Sequence, residues 1–235
     1  MKTIFISDMH GRDPSYLVRK ERRENGIEQA VFLGDYDTPE VLRELRKIKI
    51  PKKFVVGNHE LHYAYDLELM SPLMGKSWEE YVELWQKNPR ELKFIEEAIK
   101  GRKDAGLILE DKLGKRKIVY CHGGIIDEGS PDSDAPGYVW QRMFDERTIV
   151  NTFAKMIEKK YWALFRGHDH SGTILGLNKY HNLTHPEGWK VKLENENRYI
   201  INIGAFYHGD YAILDSSKKT LEFKYDTEGI KMKGP

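Results

Sequence analysis

The chain has 235 residues, 40% of them hydrophobic, with 38 Lys or Arg residues against 37 Asp or Glu residues. This composition excludes disordered and fibrous proteins, and the formal charge of +1 gives no electrostatic reason to expect a nucleic acid or an anionic membrane as partner. One cysteine, Cys121, excludes an intrachain disulfide, and no apolar run approaches the length of a membrane span, so we predict a cytoplasmic protein.

Six short apolar runs predict buried strands. Each is rich in β-branched or aromatic residues and nearly continuous, as expected for strands covered on both faces. The runs lie at 3–7, 30–33, 53–56, 118–121, 162–166 and 199–203. Residues 210–226 then predict a closing pair of strands joined by a polar turn.

Helix start signals lie between these strands. Thr38 precedes a proline and offers an N-cap, and Ser77 with Glu80 matches a capping box. Asn88, also followed by a proline, opens a further helix, and residues 145–160 have the pattern of an amphipathic helix. Alternating strands and helices predict an α/β fold.

The region 61–106 interrupts the alternation of strands and helices. It carries two of the helix signals and few strand signals, and no Pro-, Gly- or Ser-rich linker separates it from its surroundings. We therefore predict a single domain over residues 1–235, with a small helical insertion at about 61–106.

Polar side chains follow five of the predicted strands. In open α/β sheets, ligands bind outside the carboxyl ends of strands, so these side chains are expected to converge. They are Asp8, His10, Asp35, Asn58, His59, His122, His168 and His170. Mixed carboxylate and imidazole ligands suit Zn, Mn, Fe or Ni, which predicts a metal site.

Spacing and neighbouring glycines support this prediction. Asp8 and His10 lie two residues apart, as do His168 and His170, so on an extended segment each pair points to one side. Glycines adjoin each group, at positions 11, 34, 57, 123 and 167, and allow the backbone to approach a small ligand closely.

The motifs D-x-H, G-D, G-N-H-E, H-G-G and G-H-x-H occur in this order over residues 8–170. The sequence resembles the calcineurin-like metallophosphoesterases, which share the order D-x-H, G-D-x-x-D, G-N-H-[DE], H and G-H-x-H. Its H-G-G and D-x-H-G forms are similar to the phosphoprotein phosphatase and diadenosine tetraphosphatase branch. The resemblance implies a two-sheet β-sandwich flanked by helices, with two metals at the strand ends.

The resemblance also implies a ligand set of three residues for each metal and one bridging carboxylate. The first set is Asp8, His10 and His170, the second is Asn58, His122 and His168, and the bridge is Asp35. The cofactors would be two divalent ions, with manganese expected and Fe, Ni, Zn or Co as alternatives. Such a pair clamps a phosphoryl group and lowers the pKa of bound water.

The implied reaction is in-line attack of a metal-activated hydroxide on phosphorus, with Asp35 and His59 as catalytic residues. His59 would protonate or orient the leaving oxygen, with Glu60 or another carboxylate as its partner. Asn58 and His59 would also contact the substrate.

One motif departs from the family pattern. Asp37 falls one position earlier than the second Asp of G-D-x-x-D, and the Arg that follows this motif in protein phosphatases is missing. Arg12, Arg142 and Arg166 are candidates to bind the phosphate in its place, and Arg12 is favoured because it follows the first motif. The missing Arg weakens the case for phosphoprotein substrates.

The predicted function is hydrolysis of a phosphomonoester, and the substrate would be a small phosphorylated molecule or a phosphoprotein. A nucleotide phosphodiesterase or dinucleoside polyphosphate hydrolase is the alternative within this class, and a non-catalytic metal-binding interaction scaffold is the alternative outside it. His208, after the sixth predicted strand, is a further candidate to line the pocket. The sequence leaves the oligomeric state open.

Overall fold

Two β-sheets flanked by helices make up residues 1–64, 77–127 and 136–227, the part of the chain that the computed structural model describes. The helices are α1 Ser15–Asn25, α2 Pro39–Lys47, α3 Asn58–Ala64, α4 Trp78–Gln86, α5 Pro89–Ile99 and α6 Glu146–Lys159. The strands are β1 Lys2–Ile6, β2 Gln29–Phe32, β3 Lys52–Val55, β4 Ala105–Gly106, β5 Ile108–Leu113, β6 Arg116–Cys121, β7 Tyr161–Arg166, β8 Gly172–Leu177, β9 Leu183–Thr184, β10 Lys190–Lys192, β11 Arg198–Ile203, β12 Asp210–Asp215 and β13 Thr220–Tyr225. The predicted α/β sandwich is confirmed.

The strand order explains why distant residues meet. The first sheet has the order β10-β13-β12-β1-β2-β3-β4, and the second has the order β5-β6-β7-β11-β8-β9. Strands β1 to β4 run parallel to one another, and β6, β7 and β11 do the same in the second sheet. The carboxyl ends of parallel strands share one edge of each sheet, and the predicted metal ligands follow those ends.

Aromatic side chains pack the two sheets against each other. The rings of Phe5 and Phe165 stack with centroids 4.4 Å apart and planes 3° apart, and Tyr120 tilts against both at about 6 Å. All three are buried, and burial of such a side chain contributes about 1.5–3 kcal/mol. This contact holds β1 of the first sheet beside β7 of the second.

The predicted helix starts are confirmed where the structure describes them. Thr38 accepts a hydrogen bond from the backbone N–H of Val41, and both bonds of the capping box between Ser77 and Glu80 are present. Asn88 precedes α5 as expected, although its side chain makes no cap bond. No helix within the three described ranges is long and apolar enough to cross a bilayer.

The helical insertion is described in part. Helices α4 and α5 lie within 61–106 as predicted, whereas α3 crosses the expected start at residue 61, and residues 65–76 are outside the described ranges. Arg43 of α2 binds Glu91 of α5 at 3.2 Å, which ties this region to the first sheet's helices. A single domain over residues 1–235 stays a prediction.

Candidate metal centre

The predicted ligands converge at the edge where parallel strands of both sheets end. Asp8 and His10 follow β1, and Asp35 follows β2. The remaining predicted ligands follow β3, β6 and β7, and they are Asn58, His122, His168 and His170. The backbone N–H of His168 donates to Asp8 at 2.9 Å, although 160 residues separate the two in sequence.

A first group contains Asp8, His10 and His170. One ligand atom from each lies within 4.8 Å of the others. The Nε2 of His170 lies 3.2 Å from an oxygen of Asp8 and 3.2 Å from the Nε2 of His10. This group coincides with the set predicted for the first metal.

A second group contains Asp35, His122 and His168, again with ligand atoms within 4.8 Å of one another. The Nε2 of His122 lies 3.3 Å from Asp35 and 2.9 Å from the Oδ1 of Asn58. Asp35 also forms a group with His10 and His59. It therefore lies between both predicted sets, as a bridging ligand must, and the individual ligand roles stay predictions.

The electrostatics of the centre favour cations. Burial raises the pKa of Asp8, but the hydrogen bond from His170 and the charge of His122 outweigh burial and lower it to about 2. Burial likewise opposes ionisation of Asp35, yet the nearby His122 and His59 hold its pKa well below the usual range. Two buried carboxylates side by side are costly unless positive charge compensates them.

The imidazole of His168 suits coordination. Burial lowers its pKa to about 2, so the ring stays neutral and keeps a lone pair for a metal. Together with the buried carboxylates, this donor set fits divalent ions of the Mn, Fe, Co, Ni or Zn type.

The backbone of the centre adopts an unusual conformation. Positive φ angles of 44° to 71° occur at six of its residues, Asp8, His10, Asp35, Asp37, His168 and His170. Our expectation that the D-x-H and H-x-H pairs lie on extended segments is therefore wrong, because all four residues have a left-handed backbone. Asp8 and His10 share one ligand group, whereas His168 and His170 belong to different groups. Residues with side chains rarely adopt this region, and such strain clusters at functional sites.

Glu60 holds the strained segment after β2 in place. Its buried carboxylate accepts hydrogen bonds from the backbone N–H groups of Asp35 at 3.0 Å, Tyr36 at 2.7 Å and Gly57 at 2.8 Å. Burial, followed by the charges of Asp35 and Asp37, raises the pKa of Glu60 to about 7. Glu60 thus shapes the loop that carries Asp35 and does not pair with the ring of His59.

Asp37 pairs with His59 in place of Glu60. One oxygen of Asp37 lies 2.6 Å from the Nδ1 of His59, and the other lies 3.1 Å from the Nδ1 of His10. The early position of Asp37 in the sequence suggested that it was unrelated to the family's second Asp. The left-handed backbone at Asp37 nevertheless directs its carboxylate to both rings, and the sequence carried no signal for this turn.

Glycines permit the close approach expected of them. A Cβ at Gly57 would lie 2.1 Å from a carboxylate oxygen of Asp35, and a Cβ at Gly34 would lie 2.8 Å from the Nδ1 of His122. Any larger residue at either position would displace a predicted ligand.

The three candidate arginines differ in availability. Arg166 is fully buried and binds Gly123, Gln141 and Asp169, so it is a structural residue.

Arg12 donates to the carbonyl of Phe206 at 2.7 Å and to Asp226 at 2.5 Å. Arg142 is 49% exposed and lies 3.4 Å from the carbonyl of His168. Among these three side chains, Arg142 has the guanidinium group most open to a ligand beside the second metal group.

Two aromatic residues at the rim complete the site. Tyr207 and His208 form a short 3-10 turn before β12, and both are exposed. The ring centroid of His208 lies 6.4 Å from that of His170, in agreement with its predicted place at the pocket. Sequence reasoning missed Tyr207, for which only its position beside His208 gave a signal.

A cavity of about 670 Å³ lies elsewhere, beside β8 and β11. None of the predicted metal ligands lines this cavity, so we do not assign the metal site to it.

Comparison with known proteins places these motifs in context. The sequence model of the calcineurin-like phosphoesterase superfamily domain matches residues 1–205. No curated protein sequence matches the chain.

Among solved structures, an archaeal phosphodiesterase is 14% identical, with a TM-score of 0.50, and the match covers 96% of this chain and 100% of that one. YfcE, a phosphoesterase from E. coli, is 17% identical with a TM-score of 0.43, over 92% of this chain and 88% of that one. Vacuolar protein sorting 29 from Cryptosporidium parvum is 13% identical with a TM-score of 0.46, and the match covers 96% of this chain and 98% of that one. At this identity the archaeal structure supports the fold alone.

Proposed function

Because this chain belongs to the calcineurin-like phosphoesterase superfamily, we propose that it hydrolyses phosphate esters with two divalent metal ions, and that phosphomonoesters are preferred. The observation that carries the proposal is the pair of metal-ligand groups, with Asp35 close to both. The proposed substrate is a small phosphorylated molecule or a phosphoprotein.

The seven predicted ligands would divide into three residues for each ion and one carboxylate that binds both. One ion would bind Asp8, His10 and His170, the other would bind Asn58, His122 and His168, and Asp35 would bind both. When bound, two such ions neutralise phosphoryl oxygens and lower the pKa of water, which makes a protein nucleophile unnecessary.

His59 is the proposed proton donor to the leaving oxygen. Burial lowers its pKa, but the charges of Asp35 and Asp37 outweigh burial and raise it to about 10. The carboxylate of Asp37, which is not a proposed metal ligand, favours the protonated ring through its bond to Nδ1. The Nδ1 of His59 is bonded to Asp37, and the Nε2 of His59 lies 3.7 Å from an oxygen of Asp35. The Nε2 side of the ring therefore faces the metal groups.

Arg142 is the proposed contact for a non-bridging phosphate oxygen. A guanidinium group binds phosphate through two parallel hydrogen bonds, and this one is half exposed beside the backbone of His168. Arg12, which the sequence favoured, would reach a substrate only by giving up its bonds to Phe206 and Asp226.

Hydrolysis assays test the proposal directly. Chelator-stripped protein receives Mn²⁺ and then p-nitrophenyl phosphate or bis-p-nitrophenyl phosphate, with Asp35→Asn as the matched control. We expect cleavage that needs added metal and fails in the control. Preference for the monoester supports the leading proposal, and preference for the diester supports a nucleotide phosphodiesterase instead.

A different outcome would contradict catalysis. If the protein binds two equivalents of metal but cleaves neither ester with Mn²⁺, Fe²⁺, Co²⁺, Ni²⁺ or Zn²⁺, the non-catalytic scaffold is the better description. Metal content must be measured on the same samples, because an empty centre would also be inactive.

A further inference from the structure

Two exposed rings stand beside the first metal group. The ring centroid of Tyr207 lies 6.1 Å from that of His10, with the planes at 80°, and 5.3 Å from that of His208. The His208 ring in turn lies 6.4 Å from His170. Tyr207 is 57% exposed, which leaves much of its ring free to contact a ligand.

The backbone of this turn is bonded to the segment that carries the metal ligands. The N–H of Phe206 donates to the carbonyl of Ser7 at 2.8 Å, and the N–H of Tyr207 donates to the carbonyl of Asp8 at 3.1 Å. The position of Tyr207 relative to Asp8 is therefore set by direct hydrogen bonds.

Arg12 braces the same turn. Its Nη1 donates to the carbonyl of Phe206 at 2.7 Å, and its guanidinium lies 4.3 Å from the centre of the Phe206 ring. Arg12 also binds Asp226, whose backbone N–H donates to the carbonyl of Gly209 at 2.8 Å. Arg12 thus holds the turn from both of its ends.

We propose that Tyr207 and His208 form an aromatic wall that contacts the leaving group of the substrate, and that Arg12 is its positioning residue. This proposal rests on the proposed phosphoesterase function and names a substrate class for it. The class is phosphate esters whose leaving alcohol carries a planar ring, such as an aryl or nucleoside group.

The wall suits a planar group for physical reasons. Aromatic rings attract one another in offset or edge-to-face arrangements, and Tyr207 presents an exposed ring for such contact. Loss of one stacking aromatic typically weakens binding of a base by about 5- to 150-fold. An alkyl leaving group gains much less from the same surface.

Binding probes test the wall without requiring turnover. Metal-loaded protein is titrated with phenylphosphonate and ethylphosphonate, which share the phosphoryl oxygens but differ in the ring. We expect the native protein to bind phenylphosphonate more tightly than ethylphosphonate. Tyr207→Ala should weaken the affinity for phenylphosphonate by about 5- to 150-fold and leave the affinity for ethylphosphonate within about twofold of the native value. Tyr180→Ala, which removes a 72% exposed tyrosine from the segment between β8 and β9, is the matched control.

Arg12→Lys separates bracing from phosphate binding. It keeps the charge but loses the fork that binds Phe206 and Asp226 together. We expect Arg12→Lys to weaken the affinity for phenylphosphonate and to leave that for ethylphosphonate unchanged. If Arg12 instead bound the phosphate, the affinities for both probes would fall equally. Circular dichroism of each variant is the check that it remains folded.

The two proposals fail differently. Equal affinities for both probes in the native protein, or no effect of Tyr207→Ala, would overturn the wall whether or not the protein hydrolyses esters. Absent hydrolysis with an intact preference for phenylphosphonate would overturn the phosphoesterase function and leave the wall standing as a binding surface.

Discussion

The carboxylate of Asp37 offers the sharpest test of the proposed proton donor. Asp37 is 1% exposed and binds the Nδ1 atoms of both His59 and His10. Asp37→Asn preserves the volume of the side chain and removes its charge. It should therefore affect proton donation through His59 and, separately, metal binding through His10.

The magnitude follows from the bond to His59. A hydrogen bond to a charged group contributes about 1.5–3 kcal/mol, and each 1.4 kcal/mol corresponds to about tenfold in rate. We therefore expect kcat to fall roughly 10- to 150-fold at saturating metal. Removal of the charge also lowers the pKa of His59, so the alkaline limb of the kcat profile should move to lower pH.

The assay is a pH–rate profile in saturating Mn²⁺, with metal content measured in parallel. Loss of the partner of His10 should weaken metal affinity by about 10- to 100-fold, and saturation removes this contribution from kcat. Asp111→Asn, which removes a carboxylate from β5 outside both metal groups, is the control. A kcat within twofold of the native value and an unmoved alkaline limb would refute the role of Asp37.

Three further predictions concern stability. Gly167→Ala would place a Cβ 1.7 Å from the Oγ of Ser7 and should lower the free energy of unfolding in urea by about 3 kcal/mol. Gly26→Ala, with open space around the added Cβ, should lower it by about 1 kcal/mol. Equal losses for the two variants would contradict the contact with Ser7. Burial raises the pKa of Glu21, but the hydrogen bonds from Lys224, Tyr211 and Asn25 together outweigh burial and lower the pKa. The stabilisation is therefore present above the unfolded pKa and is lost as pH falls through the folded pKa. Glu21→Gln should therefore lower stability by about 2–3 kcal/mol at pH 7, and its gap from the native protein should close towards pH 3; a gap independent of pH would contradict this account. Mn²⁺ at 100 times its dissociation constant should stabilise chelator-stripped protein by about 2.7 kcal/mol, and an unchanged melting temperature would contradict binding to the folded state.

The main strands and the position of the candidate metal centre were predictable because each carries a local signal. Buried parallel strands are continuous apolar runs, so β1, β2, β3, β6, β7 and β11 stood out. The motif residues follow those runs directly, and shared sheet edges bring such residues together. Strands β9 and β10 have only two and three residues and lie at sheet edges, so they gave no comparable signal.

Features that depend on distant partners were not predictable. Arg12 binds Phe206 and Asp226, which lie 194 and 214 residues away, so its sequence position beside the first motif suggested a substrate role instead. The pairing of Asp37 with His59 depends on a left-handed backbone that Glu60 stabilises from another segment. Spacing alone describes neither contact.

The division of the centre between two sheets has a consequence for the lifetime of the folded state. Asp8 and Asp35 follow strands of the first sheet, whereas His122 and His170 follow strands of the second. Bound cations would therefore cross-link the sheets, and the sheets must separate before the chain unfolds. The metal would slow unfolding more than it speeds folding, because the complete centre exists only after both sheets have docked. Resistance to prolonged heating should then depend on metal occupancy through the unfolding rate.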